Sequence, residues 1–251
     1  MMQIKFESVN KSFYTLKDET KVLNNINIEI PKGKIVAIVG PSGCGKSTLL
    51  NMISGLIIPD SGSLTVDGKI GYMFQKDNLL SWRNVYKNIT LGLEIKKEKI
   101  NEKYIDEVLK KYGLYEFKYS YPHQLSGGMR QRVALIRTLV LNPDILLLDE
   151  PFSSLDFQSK IIVQEDIYKI IKESKKTTIM VTHDISEAIS MADIIYVLTN
   201  RPSTIKKKFD IDLKIDDDKK TPLNSRKSDM FSKYFSLIWK IFTKHITFSW
   251  I

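Results

Sequence analysis

Nine consecutive residues, Gly40-Pro41-Ser42-Gly43-Cys44-Gly45-Lys46-Ser47-Thr48, combine types and spacing that could do chemistry. They fit G-x-x-x-x-G-K-[S/T], a loop that cradles phosphate. The glycines let backbone N–H groups approach phosphate oxygens. Lys46 would reach β- and γ-phosphates, and the Ser47 hydroxyl is an oxygen ligand for Mg²⁺. A second candidate is the carboxylate pair Asp149 and Glu150, which ends the apolar run Ile145-Leu146-Leu147-Leu148. An aspartate in that place can hold a Mg²⁺ shell, and a glutamate beside it can orient or deprotonate water for attack on a γ-phosphate. The third is Leu125-Ser126-Gly127-Gly128-Met129-Arg130-Gln131. Ser126 is a good N-cap, and two glycines free the backbone where a helix begins, which makes a second anion-binding helix N-terminus. One nucleotide has no need of two such sites in one chain. The second is therefore expected to serve a nucleotide held by another copy.

These groups need particular elements to hold them. Ile35-Val36-Ala37-Ile38-Val39 is a continuous, mostly β-branched apolar run and reads as a buried strand feeding the phosphate loop. Ser47 to Ser54 carries helical spacing, stopped by Gly55. Residues 2 to 9 and Val22 to Ile30 alternate polar and apolar, which predicts an antiparallel β layer before the core. Phe13 and Tyr14 fall in a polar stretch between them, and either alone reads as core. Leu64 to Val66 and Ile70 to Phe74 predict short strands, with Asp67-Gly68 between them as a hairpin signal. Asn84 to Leu141 has helical character. Ser159 to Ile171 reads as an amphipathic helix, Thr177 to Thr182 as a strand ending at His183, Ser186 to Met191 as a short helix and Ile194 to Leu198 as a strand. Strands alternating with helices imply a mostly parallel sheet. Asp212 to Lys227 reads as a polar linker. Residues 228 to 246 predict a last helix, with Phe231, Tyr234, Phe235, Ile238, Ile241 and Phe242 on one face. That face is expected to pack on the domain edge, with a membrane or partner contact as the alternative. Ser228 or Asp229 could cap it.

The 251 residues suffice for a large α/β domain, and the hydrophobic fraction of 43% is that of a globular protein. No signal peptide is expected, and no apolar stretch reaches the length of a membrane span. The single cysteine, Cys44, excludes an internal disulfide and a thiolate metal cluster. Net charge is +9. It fits nucleic acid, an anionic membrane surface or simply a lysine-rich composition. No nucleic-acid motif accompanies it.

Taken together, these motifs resemble, in order, those of the ATP-binding subunit of ATP-binding-cassette (ABC) transporters, over residues 2 to about 210. Gly40 to Thr48 is similar to Walker A, and Gln75 in Met73-Phe74-Gln75 to the Q-loop. Leu125 to Met129 is similar to the family signature, with methionine where glutamine is commoner. Asp149 and Glu150 are similar to Walker B and its catalytic glutamate, Ser154-Leu155-Asp156 to the D-loop, and His183 to the switch histidine. The resemblance implies an α/β P-loop NTPase core with a mostly parallel sheet, an N-terminal antiparallel β layer and an inserted α-helical subdomain. The parts would be 2–84 and 142–210 for the core, 85–141 for the helical subdomain with the signature, and 211–251 for a linker and amphipathic helix. It implies ATP and Mg²⁺, with Glu150, His183 and Gln75 catalytic and Ser47, Gln75 and Asp149 at the metal. Phe13, with Tyr14 as the alternative, would stack on adenine. Two copies would clamp two ATP molecules head to tail, each P-loop facing the other copy's Ser126, Gly127 and Gly128, and Asp156 would be a further nucleotide-binding residue. His123 and His245 have no role in it.

Within the family, Leu79-Leu80-Ser81-Trp82-Arg83-Asn84-Val85, Asn88-Ile89, Arg201-Pro202-Ser203 with Ile205, and Arg226 to Trp239 resemble the bacterial nitrate, sulfonate and taurine importers. That implies an ATPase at the cytoplasmic face of the membrane, working with integral permease subunits and, indirectly, an extracytoplasmic solute-binding protein. Importers of pyrimidines, thiamine precursors or riboflavin share much of the pattern. A soluble ABC ATPase acting on nucleic acid or ribosomes is the reading from another class, and no nucleic-acid partner is expected.

Overall fold

The structure, a computed structural model, describes residues 1–16, 18–216 and 219–243. In chain order its strands and helices are β1 (Met2–Tyr14), β2 (Glu19–Pro31), β3 (Ile35–Val39), α1 (Lys46–Ile53), β4 (Ser61–Val66), β5 (Ile70–Met73), α2 (Val85–Ile95), α3 (Glu102–Lys111), α4 (Gly127–Leu139), β6 (Ile145–Asp149), α5 (Phe157–Ser174), β7 (Thr177–Thr182), α6 (Ile185–Met191), β8 (Ile194–Leu198), β9 (Ile205–Asp210), α7 (Pro222–Lys227) and α8 (Asp229–Thr243). The chain divides into two compact units, Met1–Gly68 with Thr177–Ile251, and Lys69–Lys176.

In the first unit β1 lies between β2 and β4, antiparallel to both. Ile4, Phe6, Val9, Ile26, Ile28 and Ile30 face inward and are buried, which is the alternation expected of a half-covered sheet. β3 is parallel to β7 on one side and to β8 on the other. All three strands are buried along their whole length, as parallel strands covered on both faces are. β9 closes this side as an antiparallel edge beside β8. Its Lys206-Lys207-Lys208 run is exposed, and lysines are a common guard on a sheet edge.

In the second unit β5 and β6 pair in parallel. α2, α3 and α4 begin at side-chain caps: Asn84 accepts from the Lys87 N–H at 2.8 Å, Asn101 from Tyr104 at 3.1 Å, and Ser126 from Met129 at 3.3 Å. Val85, Ile89, Ile105, Leu109, Leu125, Val133 and Ile136 make one apolar cluster between them.

Several expectations are corrected. β1 does not stop near residue 9 but runs on to Tyr14, because Phe13 and Tyr14 pair with Thr20 and Glu19 of β2. Asp67-Gly68 makes no hairpin: β4 pairs with β1 and β5 with β6. Residues 212–227 are not all linker, since Thr221 caps α7 by accepting from the Asn224 N–H, and Pro222 sits in its first turn, where a missing N–H is harmless. β9 has no counterpart in the sequence reading. α8 begins as expected, with the Ser228 hydroxyl accepting from the Met230 N–H at 3.2 Å. Ile238 is fully buried, and Tyr234 packs edge-on against Phe209 of β9. The final turn expected at 244–246, and His245, lie outside the described residues. No helix among the described residues is long and apolar enough to cross a membrane.

Candidate functional site

In the first unit the phosphate loop leaves the carboxyl end of β3 and enters α1. Gly43 and Gly45 hold φ of 75° and 108°, the left-handed region that glycine adopts without steric penalty. Gly45 is also crowded: a Cβ there would stand 2.8 Å from Val22 Cγ1 and 2.9 Å from Leu23 Cδ2. The Cys44 N–H donates to the Pro41 carbonyl at 3.2 Å, which tightens the turn. Lys46 is buried at 5% exposure, and its Nζ donates to the carbonyls of Gly40 at 2.9 Å and Pro41 at 3.0 Å. Those bonds hold the ammonium inside the loop. Ser47 and Thr48 follow it on the first turn of α1. Cys44 is buried, and that burial pushes its thiol above the usual range.

β7 carries His183 to the same edge. Thr182, the last residue of β7, is in register with Val39, the last of β3, and both strands run the same way. His183 is exposed just beyond. Its neighbours are tightly held: Asp184 caps α6 by accepting from the Ser186 and Glu187 N–H groups, and the Thr182 hydroxyl donates to Glu187. Phe13 and Tyr14 are 40% and 72% exposed, so neither is the core residue that each alone suggested. Lys11 lies over the Phe13 ring at 5.7 Å, and the Tyr14 hydroxyl donates to Glu19 at 3.4 Å.

The second unit brings Gln75, Asp149 and Glu150 together. β5 and β6 are in register at Met73 and Leu148, so the residues that follow them leave one edge together. Asp149 is nearly buried, and the Tyr72 hydroxyl donates to it at 3.3 Å. Burial and the Asp149 charge raise the Tyr72 phenol, which stays a donor. Glu150 has φ of 42°, uncommon for a residue with a side chain. The Ser153 hydroxyl donates to the Glu150 carbonyl at 3.0 Å, and Gln75 Nε2 donates to that same hydroxyl at 3.3 Å. Ser153 thus links Gln75 to the backbone of Glu150, a part that sequence reasoning missed.

The signature loop lies against the D-loop. A Cβ on Gly127 would stand 3.0 Å from Leu155 Cδ2, and one on Gly128 only 2.4 Å from Val163 Cγ2 of α5. Asp156 is the N-cap of α5, accepting from Gln158 and Ser159. The Ser159 hydrogen bond holds its carboxyl below the usual range. The segment after Gln75 is tied to α4: Arg130 pairs with Asp77 at 3.0 Å, and Arg137 donates to the carbonyls of Asp77 and Asn78. Asn88, fully buried, bonds the backbone of Leu80, Arg83 and Asn84 and so shapes the same segment.

A family model described as ABC transporter matches residues 23–153. The nitrate import ATP-binding protein of Synechocystis is 39% identical over 237 residues, 89% of this chain and 87% of that protein. The chain belongs to the ABC transporter family. The aliphatic sulfonates import ATP-binding protein of Bacillus anthracis is also 39% identical to this cassette, over 82% of this chain and 85% of its own. A solved dimeric post-hydrolysis state of an ATP-binding cassette bound to ADP and Pi matches with a TM-score of 0.71 and 31% identity, covering 83% of this chain and 99% of that one. The cassette therefore has the ABC ATPase fold: a mostly parallel sheet with helices and an antiparallel β layer. Two features of the site could not be read from sequence, the left-handed φ of Glu150 and the contact made by the buried Ser203, which the sequence offered only as part of the Arg201-Pro202-Ser203 resemblance. The Ser203 hydroxyl donates to the Cys44 carbonyl, which fastens the phosphate loop from outside.

Proposed function

We propose that the chain is the ATP-binding and ATP-hydrolysing subunit of an ABC importer for a small solute of the nitrate, sulfonate or taurine kind. The observation that carries the ATPase reading is the phosphate loop, with Lys46 buried inside it and His183 on the neighbouring parallel strand end. The solute class rests on the likeness to relatives named for nitrate and sulfonate import.

In this reading the loop Gly40, Pro41, Ser42, Gly43, Cys44 and Gly45 wraps the phosphate chain, its N–H groups donating at every position but Pro41, with Lys46 and Thr48 beside them, and Phe13 stacks on adenine. Lys46 exchanges its two carbonyl bonds for phosphate oxygens, so its charge is held ready by the loop itself. Ser47, Asp149 and Gln75 present hydroxyl, carboxylate and amide oxygens, a hard donor set that fits Mg²⁺. That ion would neutralise charge on the phosphates. Glu150 orients and deprotonates the attacking water, and His183 contacts the γ-phosphate. A second copy supplies Ser126, Gly127 and Gly128, and Asp156 is a further nucleotide-binding residue. The helices of 85–141 form the signature-bearing subdomain. Residues 75–88 meet the permease, and their ties to α4 through Arg130 and Arg137 carry the nucleotide state to it. The subunit works at the cytoplasmic face of the membrane, and the solute-binding protein acts with it only through the permease.

The test is co-purification in detergent with an integral membrane protein from the cells that make the chain, together with solute uptake in cells carrying Lys46→Ala. Co-purification and loss of uptake are expected. Purification with ribosomes or nucleic acid instead, or uptake unchanged by the substitution, would contradict the reading.

A further inference from the structure

The geometry points to Arg201 as a further binding residue for the phosphate chain of the nucleotide, outside the nucleotide-binding motifs above. It rests on the ATP-binding reading and extends it. β8 runs parallel to β3, with Val197 opposite Val39, so the chain leaves both strands at one edge. In open α/β sheets that carboxyl edge faces the ligand. Leu198 lies against the start of the phosphate loop: a Cβ on Gly40 would stand 3.0 Å from Leu198 Cβ.

The loop from 199 to 204 is closed and anchored. The Thr199 N–H donates to the Thr204 carbonyl at 3.1 Å, and the Thr204 N–H returns to the Thr199 hydroxyl at 2.9 Å. Ser203 is fully buried, with its N–H on the Val22 carbonyl and its carbonyl on the Asn24 N–H, both at 2.8 Å. Its hydroxyl on Cys44 makes this loop and the phosphate loop one piece. Arg201 is thereby laid on Gly43. Its Nη2 stands 2.8 Å from where a Cβ on Gly43 would be.

Gly43 belongs to the run of amides that faces phosphate, so an anion bound there is within reach of the guanidinium. Arg201 is exposed, and no carboxylate among the described residues pairs with it. Filling space beside Gly43 would not require a cation. A planar fork of N–H donors suits two phosphate oxygens at once, and its charge adds to that of Lys46. Arg201 closes on the phosphate chain from the β8 side.

The test is competition between ATP and a fluorescent ATP analogue on the full chain, for the parent, Arg201→Gln and Arg201→Lys, with thermal unfolding of each without nucleotide. Arg201→Gln should weaken ATP binding about 10-fold, the scale of a lost hydrogen bond to a charged group, while Arg201→Lys keeps the charge and loses about 3-fold. Unfolding without nucleotide should not move. Unchanged affinity in Arg201→Gln, with the parent binding ATP normally, overturns the inference alone. Equal losses in both variants with a lowered unfolding temperature mean a packing role and also overturn it. A parent chain that fails to bind ATP overturns the underlying reading and this inference with it.

Discussion

Replacing Gly128 by alanine should destabilise the protein by about 2 kcal/mol, through a contact that can be named. The new methyl would stand 2.4 Å from Val163 Cγ2 and 3.9 Å from Val163 Cβ. Carbon atoms rest at about 3.5–4.0 Å, so about 1 Å must be found. Val163 cannot easily yield it. It is buried in α5, and a β-branched residue in a helix has one strongly preferred rotamer. The helices must part, which places the strain near the upper end of overpacking, about 3 kcal/mol. Alanine recovers about 1 kcal/mol of helix propensity over glycine, leaving about 2. Val163→Ala alone removes two buried methyl groups and should cost about 2 kcal/mol. In the double variant Cγ2 is gone, and the alanine methyl meets only the ordinary 3.9 Å contact. The double variant should therefore be about 3 kcal/mol more stable than the sum of the singles predicts, the whole of the relieved strain. Urea unfolding of the four proteins, followed by far-ultraviolet circular dichroism, measures this. Additive effects, or a Gly128→Ala variant as stable as the parent, would refute the reasoning. Either would mean that glycine is needed there only to expose the backbone.

Glu150→Gln should bind ATP as the parent does and lose turnover by at least about 100-fold in a steady-state phosphate-release assay, since it keeps the shape and removes the base. Ser203→Ala should cost about 1 kcal/mol in urea unfolding, because it removes the only donor shown for the Cys44 carbonyl among the described residues. Cys44 should react slowly with a disulfide reagent at pH 8 until the protein unfolds: burial raises its thiol, so the thiolate fraction is smaller in the folded state than in the unfolded one. The Arg83 hydrogen bond holds the Glu94 carboxyl low. A lowered folded value gives stability that is present above the unfolded value and lost as pH falls through the folded one. Glu94→Gln should therefore flatten part of the acid-side fall in unfolding temperature, while leaving the slope above neutral pH unchanged.

Much of the nucleotide-binding architecture is legible in local sequence, because it is built from local elements. Ile35 to Val39, the glycine loop and the start of α1 are contiguous, so periodicity and turn chemistry suffice. The same holds for Ser126 and the helix it caps. What escaped depends on partners far along the chain. Asp67-Gly68 has the composition of a hairpin turn, yet which strands pair is decided by the layers to which β4 and β5 belong. β9 pairs through its backbone at a sheet edge, and three consecutive lysines erase the alternation that would announce it. Asn88 and Ser203 stand in stretches that resemble the importer group, but nothing local in the sequence says what either side chain does. Their work, shaping 80–84 and fastening the phosphate loop, exists only through tertiary contacts. The positive φ of Glu150 likewise leaves no trace, since neither glycine nor asparagine stands there.

The central claim is that Lys46 and Ser47 make half of a site that Ser126 and Gly128 of a second copy complete. The most direct measurement is the ATPase rate per molecule of the purified chain as a function of its concentration, with Mg²⁺ and ATP saturating. The account predicts a specific rate that climbs with protein concentration and levels off when dimers dominate, and that is abolished by Lys46→Ala. A specific rate already constant at the lowest concentrations, in a protein that sediments as a monomer, would contradict it.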